Sequence, residues 1–372
     1  MSRPDHGQYL DTAHFASLDG LRCLSIVPVI WHHATPYPLP GFWGRGAAGV
    51  DLFFCISGFL ITTLLLREKA QTGSIALRNF YLRRALRIFP LFYVTLLGYV
   101  IFAGLQPAAD PARAHFLAAL PFFATFTANW FVNFTQPFPV IFSFAWSLCV
   151  EEQFYAFWPG LVRVLRRAGL VLVMGLLIGG DWLLQLEWPE QVARDPAFRI
   201  ATSLAAPIGF GAILALVLDS PRGFVVMGRV LGQRWSAPLS LVALGLCLID
   251  PSPLGLGYCL TLTALVGSCV IQERHVLSAL LTVRPIAYVG RISYGLYLLH
   301  PSAIGLVRAL LPDYSQQAVV VFAASLPIAL LFATLSHRLL EAPLQRYRER
   351  FKAVQVSGIE HGTRTNPSLS TT

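Results

Sequence analysis

The chain has 372 residues, 55% of them hydrophobic and only 13% charged, with a mean hydropathy of +0.60. A soluble domain carries roughly a quarter charged residues, so a soluble fold is excluded. Apolar stretches of about 20 residues recur along the chain and describe an all-α polytopic membrane protein. The formal net charge is +9, but the Lys and Arg residues sit between apolar segments, which speaks for membrane orientation and against nucleic-acid binding.

In chain order, residues 1–17 are polar, unlike a cleavable signal peptide, and read as a cytoplasmic N-terminal segment. A bundle of about ten transmembrane helices follows, near 20–37, 48–66, 86–105, 142–162, 169–187, 199–219, 235–250, 254–271, 291–311 and 316–340. Every second connection is basic: Arg67, Lys69, Arg78, Arg83, Arg84 and Arg87; Arg163, Arg166 and Arg167; Arg222, Arg229 and Arg234; Arg274, Arg284 and Arg291; Arg346, Arg348, Arg350 and Lys352. Those connections are the cytoplasmic ones, and both termini are then cytoplasmic. The intervening connections carry only Arg45, Arg113, Arg194 and Arg308. The stretch 116–134 is apolar but holds Pro121, Asn129 and Asn133. A span there would invert every later basic connection, so it reads as a re-entrant or surface-lying outer segment. One transmembrane domain covers 18–345, and 346–372 is a basic, then disordered cytoplasmic tail. The six cysteines fall inside apolar stretches with no CxxC or metal-ligand spacing, and read as reduced, buried small hydrophobes.

The first helix carries the most telling chemistry. Asp19 and Arg22 stand at its start, His32 and His33 at its end. Arg22 and His33 are eleven residues apart, which in a helix places them on one stripe about 16 Å apart, with His32 turned away by roughly 100°. Charges within membrane helices are expensive and mark function, and a neutral imidazole is the side chain best poised for proton transfer near pH 7. A structural hydrogen-bonding histidine is the competing reading. In the run 143–155, Ser147, Glu151 and Tyr155 fall at i, i+4 and i+8, one polar stripe from which Glu152 points away. Glu151 either pairs with an arginine on another helix or orients an imidazolium or a substrate hydroxyl. Arg83, Arg84 and Arg87 are placed here by topology, yet three guanidinium groups within five residues also suit bidentate contacts to phosphates. Ser57-Gly58 is a small pair expected to serve helix packing. Ser293, Tyr297 and His300 share a helix face beside Tyr294, as a hydroxyl network or as a wall of the substrate site. Glu341-Ala342-Pro343 reads as a structural stop with an ion pair. No glycine-rich phosphate loop, HExxH or GxSxG element occurs, and no metal is expected.

Taken together, the LDGLR opening followed by His33, the GVDLFF and SGFLIT segment, the RRALRI run, WSLCVEEQFY and ISYGLYLLHP resemble the acyltransferase-3 family of integral membrane O-acyltransferases, in the family's order and over nearly the whole chain. The resemblance implies a ten-helix fold in the cell membrane that moves an acyl group, most often acetyl from acetyl-CoA, to a hydroxyl of a carbohydrate, polysaccharide or glycosylated small molecule. It makes His33 the essential histidine, Glu151 the carboxylate, and Arg83, Arg84 and Arg87, with Arg22, the donor-binding cluster. Asp19, Ser147, Tyr155, Ser293, Tyr294, Tyr297 and His300 become supporting residues. His33 then serves as general base, or forms an acyl-histidine intermediate; the sequence leaves the two open. Some relatives add a periplasmic esterase-like domain, for which the short tail leaves no room. The chain departs from the pattern at Cys23, at His32 before the key histidine, and at Pro28, which is expected to kink the first helix and shift the Arg22–His33 geometry. The rival readings are a proton-coupled transporter of a small polar solute, which the absence of an internal repeat disfavours, and a non-catalytic flippase-like family member.

Overall fold

The computed structural model describes residues 5–36, 39–134, 136–249 and 255–348; the tail expected to be disordered lies outside them from 349 on. Among the described residues every regular element is helical. The ten apolar segments emerge as ten helices: α1 Ala16–Ala34, α2 Ala48–Thr72, α3 Leu77–Leu105, α4 Trp146–Val164, α5 Arg167–Glu187, α6 Ala206–Leu218, α7 Ser236–Ile249, α8 Leu256–Ile271, α9 Ser293–Leu310 and α10 Ala318–Ser336. Among the described residues five helical runs are long and apolar enough to cross a membrane: Ala48–Thr72, Leu77–Leu105, Arg167–Glu187, Pro196–Leu218 and Ala318–Tyr347. The other five are shorter or more polar, with α1 and α4 at 19 residues, α9 at 18, α8 at 16 and α7 at 14.

The central wall is α1 with α2. One apolar core forms against it from α3, α4, α9 and α10, around Phe54, Phe92, Phe142 and Trp158. A second forms from α5, α6 and α8, around Phe59, Leu214 and Leu265. Leu52, Cys55 and Phe59 of α2 face the second core while Val50, Phe54 and Ile61 face the first, which is why this helix is apolar all round. Pro28 removes a backbone donor but does not break α1, which runs unbroken from Ala16 to Ala34. Arg22 and His33 thus belong to one continuous helix. Arg308 of α9 donates from Nη2 to the carbonyls of Ala34 (3.1 Å) and His33 (3.4 Å), satisfying orphan acceptors at the end of α1.

The stretch around 116–134 folds as a 14-residue helix, Pro111–Ala124, and a single turn, Ala128–Phe131. Fourteen residues rise about 21 Å, short of a hydrocarbon core of about 30 Å. Phe126, between the helix and the turn, and Phe142, shortly before α4, hold positive φ, +54° and +62°, a costly conformation for a bulky residue. Packing against Phe92, at ring distances of 4.3 and 5.6 Å, holds both in place. At the other end of the bundle the short helix His6–Asp11 tucks beneath α2: Arg67 donates to the carbonyls of Thr12 and Tyr9 and lies over the rings of Tyr9 and Phe15. Glu341 does not end the last helix. His337–Glu341 forms a π turn and the chain continues helically to Arg348, with the His337 Nδ1 to Glu341 Oε2 pair at 3.8 Å.

Candidate functional site

One cavity, of about 120 Å3, gathers most of the polar groups singled out in the sequence. Arg22 reaches it from α1, Ser57 from α2, Arg84 and Arg87 from α3, Ser147, Glu151 and Tyr155 from α4, and Ser293, Tyr294 and Tyr297 from α9. The i, i+4, i+8 stripe on α4 does what its spacing dictates, presenting three polar side chains to one space. The Arg84 guanidinium sits 4.4 Å from the centre of the Tyr155 ring, a cation–π contact that fixes its plane. Tyr294 donates to the carbonyl of Ile88 at 2.6 Å, tying α9 to α3 at the cavity wall. Three guanidinium groups and one carboxylate share this space, an arrangement suited to a multiply charged anion.

Four of the expected residues stand outside this cavity: Arg83, Asp19, His33 and His300. Arg83 pairs with Glu68 of α2 at 3.1 Å, and Glu68 also accepts from the backbone N–H of Ala76, so Arg83 braces the α2–α3 connection. Asp19 is buried against Arg22 (3.8 Å) and His14 (3.3 Å) and holds the cation from behind.

His33 lies beyond the far end of this cavity. The upper wall closes with Ser147 Oγ at 2.6 Å from the Tyr297 hydroxyl, which donates to the carbonyl of Phe144 at 2.8 Å. Behind that layer His300, fully buried, packs on Phe144 (5.9 Å), Tyr297 (5.8 Å) and His33 (4.9 Å between ring centres). His33 Nδ1 is 2.9 Å from the carbonyl of Val29, and His300 Nδ1 is 3.1 Å from that of Leu296. A carbonyl only accepts, so each Nδ1 carries a proton, and in the neutral ring Nε2 is the basic nitrogen. Among the described residues His300 Nε2 has no hydrogen-bond partner and no hydrogen bond joins His33 to Glu151. His32 has its Cβ beside Gly46, just before α2, and its ring meets that of His33 edge-on at 5.3 Å between centres.

Sequence reasoning placed His300 on the right face of α9 but not beside His33, because the contact joins segments some 270 residues apart and has no local signature. It also read Ser57-Gly58 as a packing pair; the structure divides the work, with Ser57 in the cavity and Gly58 against the backbone of Ile208. Among the described residues no three His, Cys, Asp or Glu side chains gather as a metal site.

The chain matches the family model described as an acyltransferase domain over residues 15–338. It is 28% identical over 360 residues to the peptidoglycan O-acetyltransferase OatA of Listeria monocytogenes, covering 89% of this chain and 56% of that protein. It is 28% identical over 382 residues to a putative O-acetyltransferase of Staphylococcus aureus (91% and 58% covered). With a putative peptidoglycan O-acetyltransferase of Bacillus subtilis, identity is 26% over 357 residues (89% and 55% covered). The chain thus spans a little over half the length of these relatives, and no solved structure matches it. The match runs from the helix of Arg22 and His33 past the last residue lining the arginine cavity, and the chain belongs to the acyltransferase-3 family.

Proposed function

We propose that the protein is an integral membrane O-acetyltransferase that moves acetyl from acetyl-CoA to a hydroxyl of a cell-surface carbohydrate, with glycan chains of the peptidoglycan type as the acceptor class. The observation that carries this reading is one continuous helix with a triple-arginine cavity around its Arg22 end and, at its His33 end, an imidazole bonded through Nδ1 to a backbone carbonyl. The donor's phosphates engage Arg22, Arg84 and Arg87, and Glu151 holds those guanidinium groups in register. The cavity is narrow, so the nucleotide stays at its mouth and only the acyl-pantetheine arm enters. The arm then runs along α1 toward His33, over about 16 Å, displacing the Ser147–Tyr297 closure. His33 Nε2 takes the proton of the acceptor hydroxyl as its oxygen attacks the thioester carbonyl. The new C–O bond forms, the C–S bond breaks, and the proton passes to the departing thiolate. His300 positions His33 by packing on its ring. The basic connections support a donor side in the cytoplasm and His33 toward the outer leaflet of the cell membrane, so that donor and acceptor arrive from opposite faces.

The test is transfer in proteoliposomes supplied with acetyl-CoA on one side and a glycan on the other. Replacing the base, His33→Ala, is expected to lower kcat by about 10²–10⁴-fold with donor binding retained. Arg84→Ala is expected to raise the KM for acetyl-CoA while leaving transfer from acetyl-pantetheine, which lacks the nucleotide phosphates, unchanged. A folded His33→Ala protein that transfers acetyl at the normal rate overturns the reading, as does donor-independent uptake of a solute in place of transfer.

A further inference from the structure

A second cavity, of about 340 Å3, lies against the other faces of α2 and α4. Its size falls within the range of small-ligand sites. Val50 and Glu151 face the arginine cavity, whereas Asp51, Trp146 and Val150 face this one. It is built where helices begin or end at one side of the bundle: Asp51 in the first turn of α2, Tyr258 in the first turn of α8, and Asp181 and Gln185 in the last turns of α5. Arg67, at the arginine-rich end of α2, is sixteen residues from Asp51, about 24 Å along the helix.

The chemistry of the lining is specific. Asp181 is 3% exposed and uses one oxygen, accepting from Gln185 Nε2 at 2.8 Å. Asp51 likewise accepts once, from the Tyr258 hydroxyl at 3.0 Å. Among the described residues neither carboxylate has an ion pair, and the remaining oxygen of each has no hydrogen-bond partner. Arg199 lines the same space with its guanidinium on the carbonyls of Val132 (2.9 Å) and Arg194 (3.2 Å), and among the described residues it pairs with neither carboxylate. Carboxylate oxygens only accept, so a ligand held by them brings donors. The indole of Trp146, 40% exposed, and that of Trp182 offer flat apolar faces in the same cavity. Thr202 and Ser203 donate their hydroxyl protons to the carbonyls of Phe198 (2.9 Å) and Ile200 (2.8 Å), so toward a ligand they add two more acceptors. Donor-rich edges, a flat apolar face and no net positive charge describe a sugar ring. An ammonium ligand would meet the Arg199 guanidinium, a like charge, in the same space.

We propose that this cavity is the acceptor subsite, holding a pyranose ring of the glycan with its face on an indole and its hydroxyls donating to Asp51 and Asp181. The proposal rests on the reading of the protein as a carbohydrate O-acetyltransferase and names where the chain of the acceptor is gripped, on the side of the bundle away from the donor.

The test reads binding, not turnover. The purified full chain in lipid nanodiscs is titrated with the β-1,4 trimer of N-acetylglucosamine and with maltotriose, followed by tryptophan fluorescence and calorimetry, with spermidine as the cationic control. At least one trisaccharide is expected to bind saturably, and Asp181→Asn and Trp146→Ala are each expected to weaken it by about tenfold with acetyl-CoA binding unchanged. His33→Ala is expected to bind the sugar as the unmodified chain does. That variant separates the two ideas: sugar binding lost in Asp181→Asn but transfer surviving in His33→Ala sinks the catalytic reading alone. No saturable sugar binding, equal binding by both variants, or spermidine binding in the sugar's place overturns the subsite.

Discussion

The Nδ1–H of His33 and that of His300 are each committed to a carbonyl one turn back on their own helix, so each ring has only its Nε2 left for chemistry. Half of this was legible. The eleven-residue spacing put His33 on the Arg22 stripe, and the i+4 stripes on α4 and α9 delivered Ser147, Glu151, Tyr155, Ser293 and Tyr297 to one cavity, because a stripe is a property of one helix. The His33–His300 contact, and the meeting of Asp51 with Asp181 and two indoles, depend on how helices cross and leave no trace in local spacing. A different histidine gives a residue-scale prediction outside the membrane helices. His275 follows α8, is 3% exposed, and shares a 3.0 Å hydrogen bond with Ser17. Burial lowers its pKa from 6.5 to about 4. The folded state therefore resists a proton that the unfolded chain accepts. Stability from this group is complete above about pH 6.5 and is lost as pH falls toward 4, by at most about 3 kcal/mol. Thermal unfolding in detergent is expected to show a midpoint that drops over this window, and a flatter profile in His275→Gln.

At the scale of elements, hydropathy located the helices but not their ends. The second apolar segment was read to 66 and the third from 86, whereas α2 runs to Thr72 and α3 starts at Leu77. Helical hydrogen bonding does not stop at the edge of the apolar stretch; Gly73 stops α2, at φ +75°, as a left-handed C-cap. The sixth segment was read from 199, but α6 begins at Ala206, where Pro207 occupies the first turn. The break at 202–205 that precedes it supplies Thr202 and Ser203 to the second cavity. The α2–α6 crossing is reciprocal: a Cβ on Gly58 would fall on the carbonyl of Ile208, and one on Gly211 on the carbonyl of Cys55. Backbones this close are the purpose of small residues in membrane helices, and the crossing also aims Ser57 into the arginine cavity. Gly211→Ala is expected to destabilise by about 1–3 kcal/mol through overpacking. Gly98→Ala and Gly175→Ala, where an added methyl meets nothing within 4 Å, are expected to be neutral or to stabilise by up to about 1 kcal/mol. Thermal unfolding of the three variants side by side checks this; equal effects would mean that the close crossing does not govern packing.

For the whole molecule, function depends on which face each cavity opens to, and that depends on whether the helix Pro111–Ala124 crosses the membrane. If it did, every basic connection after α4 would lie outside, and Arg22, ahead of it in the chain, would be separated in sidedness from Arg291 at the foot of α9. The packing argues otherwise, since Tyr294 at the start of α9 bonds to α3 beside Arg87. Its length of about 21 Å is too short to span unaided, and Tyr93 holds its end by donating to the carbonyl of Ala124. Ala109 and Pro137, on either side of it and both exposed, should therefore face the same compartment. Single cysteines replacing Ala109, Pro137 and Gln316 are expected to react in intact cells with a maleimide that cannot cross membranes, and one replacing Glu273 only after lysis. Ala109 and Pro137 reacting from opposite sides would add a span and reverse the orientation of α4 to α10. The arginine cavity would then straddle helices of contradictory direction, and delivery of donor and acceptor from opposite faces would fail with it.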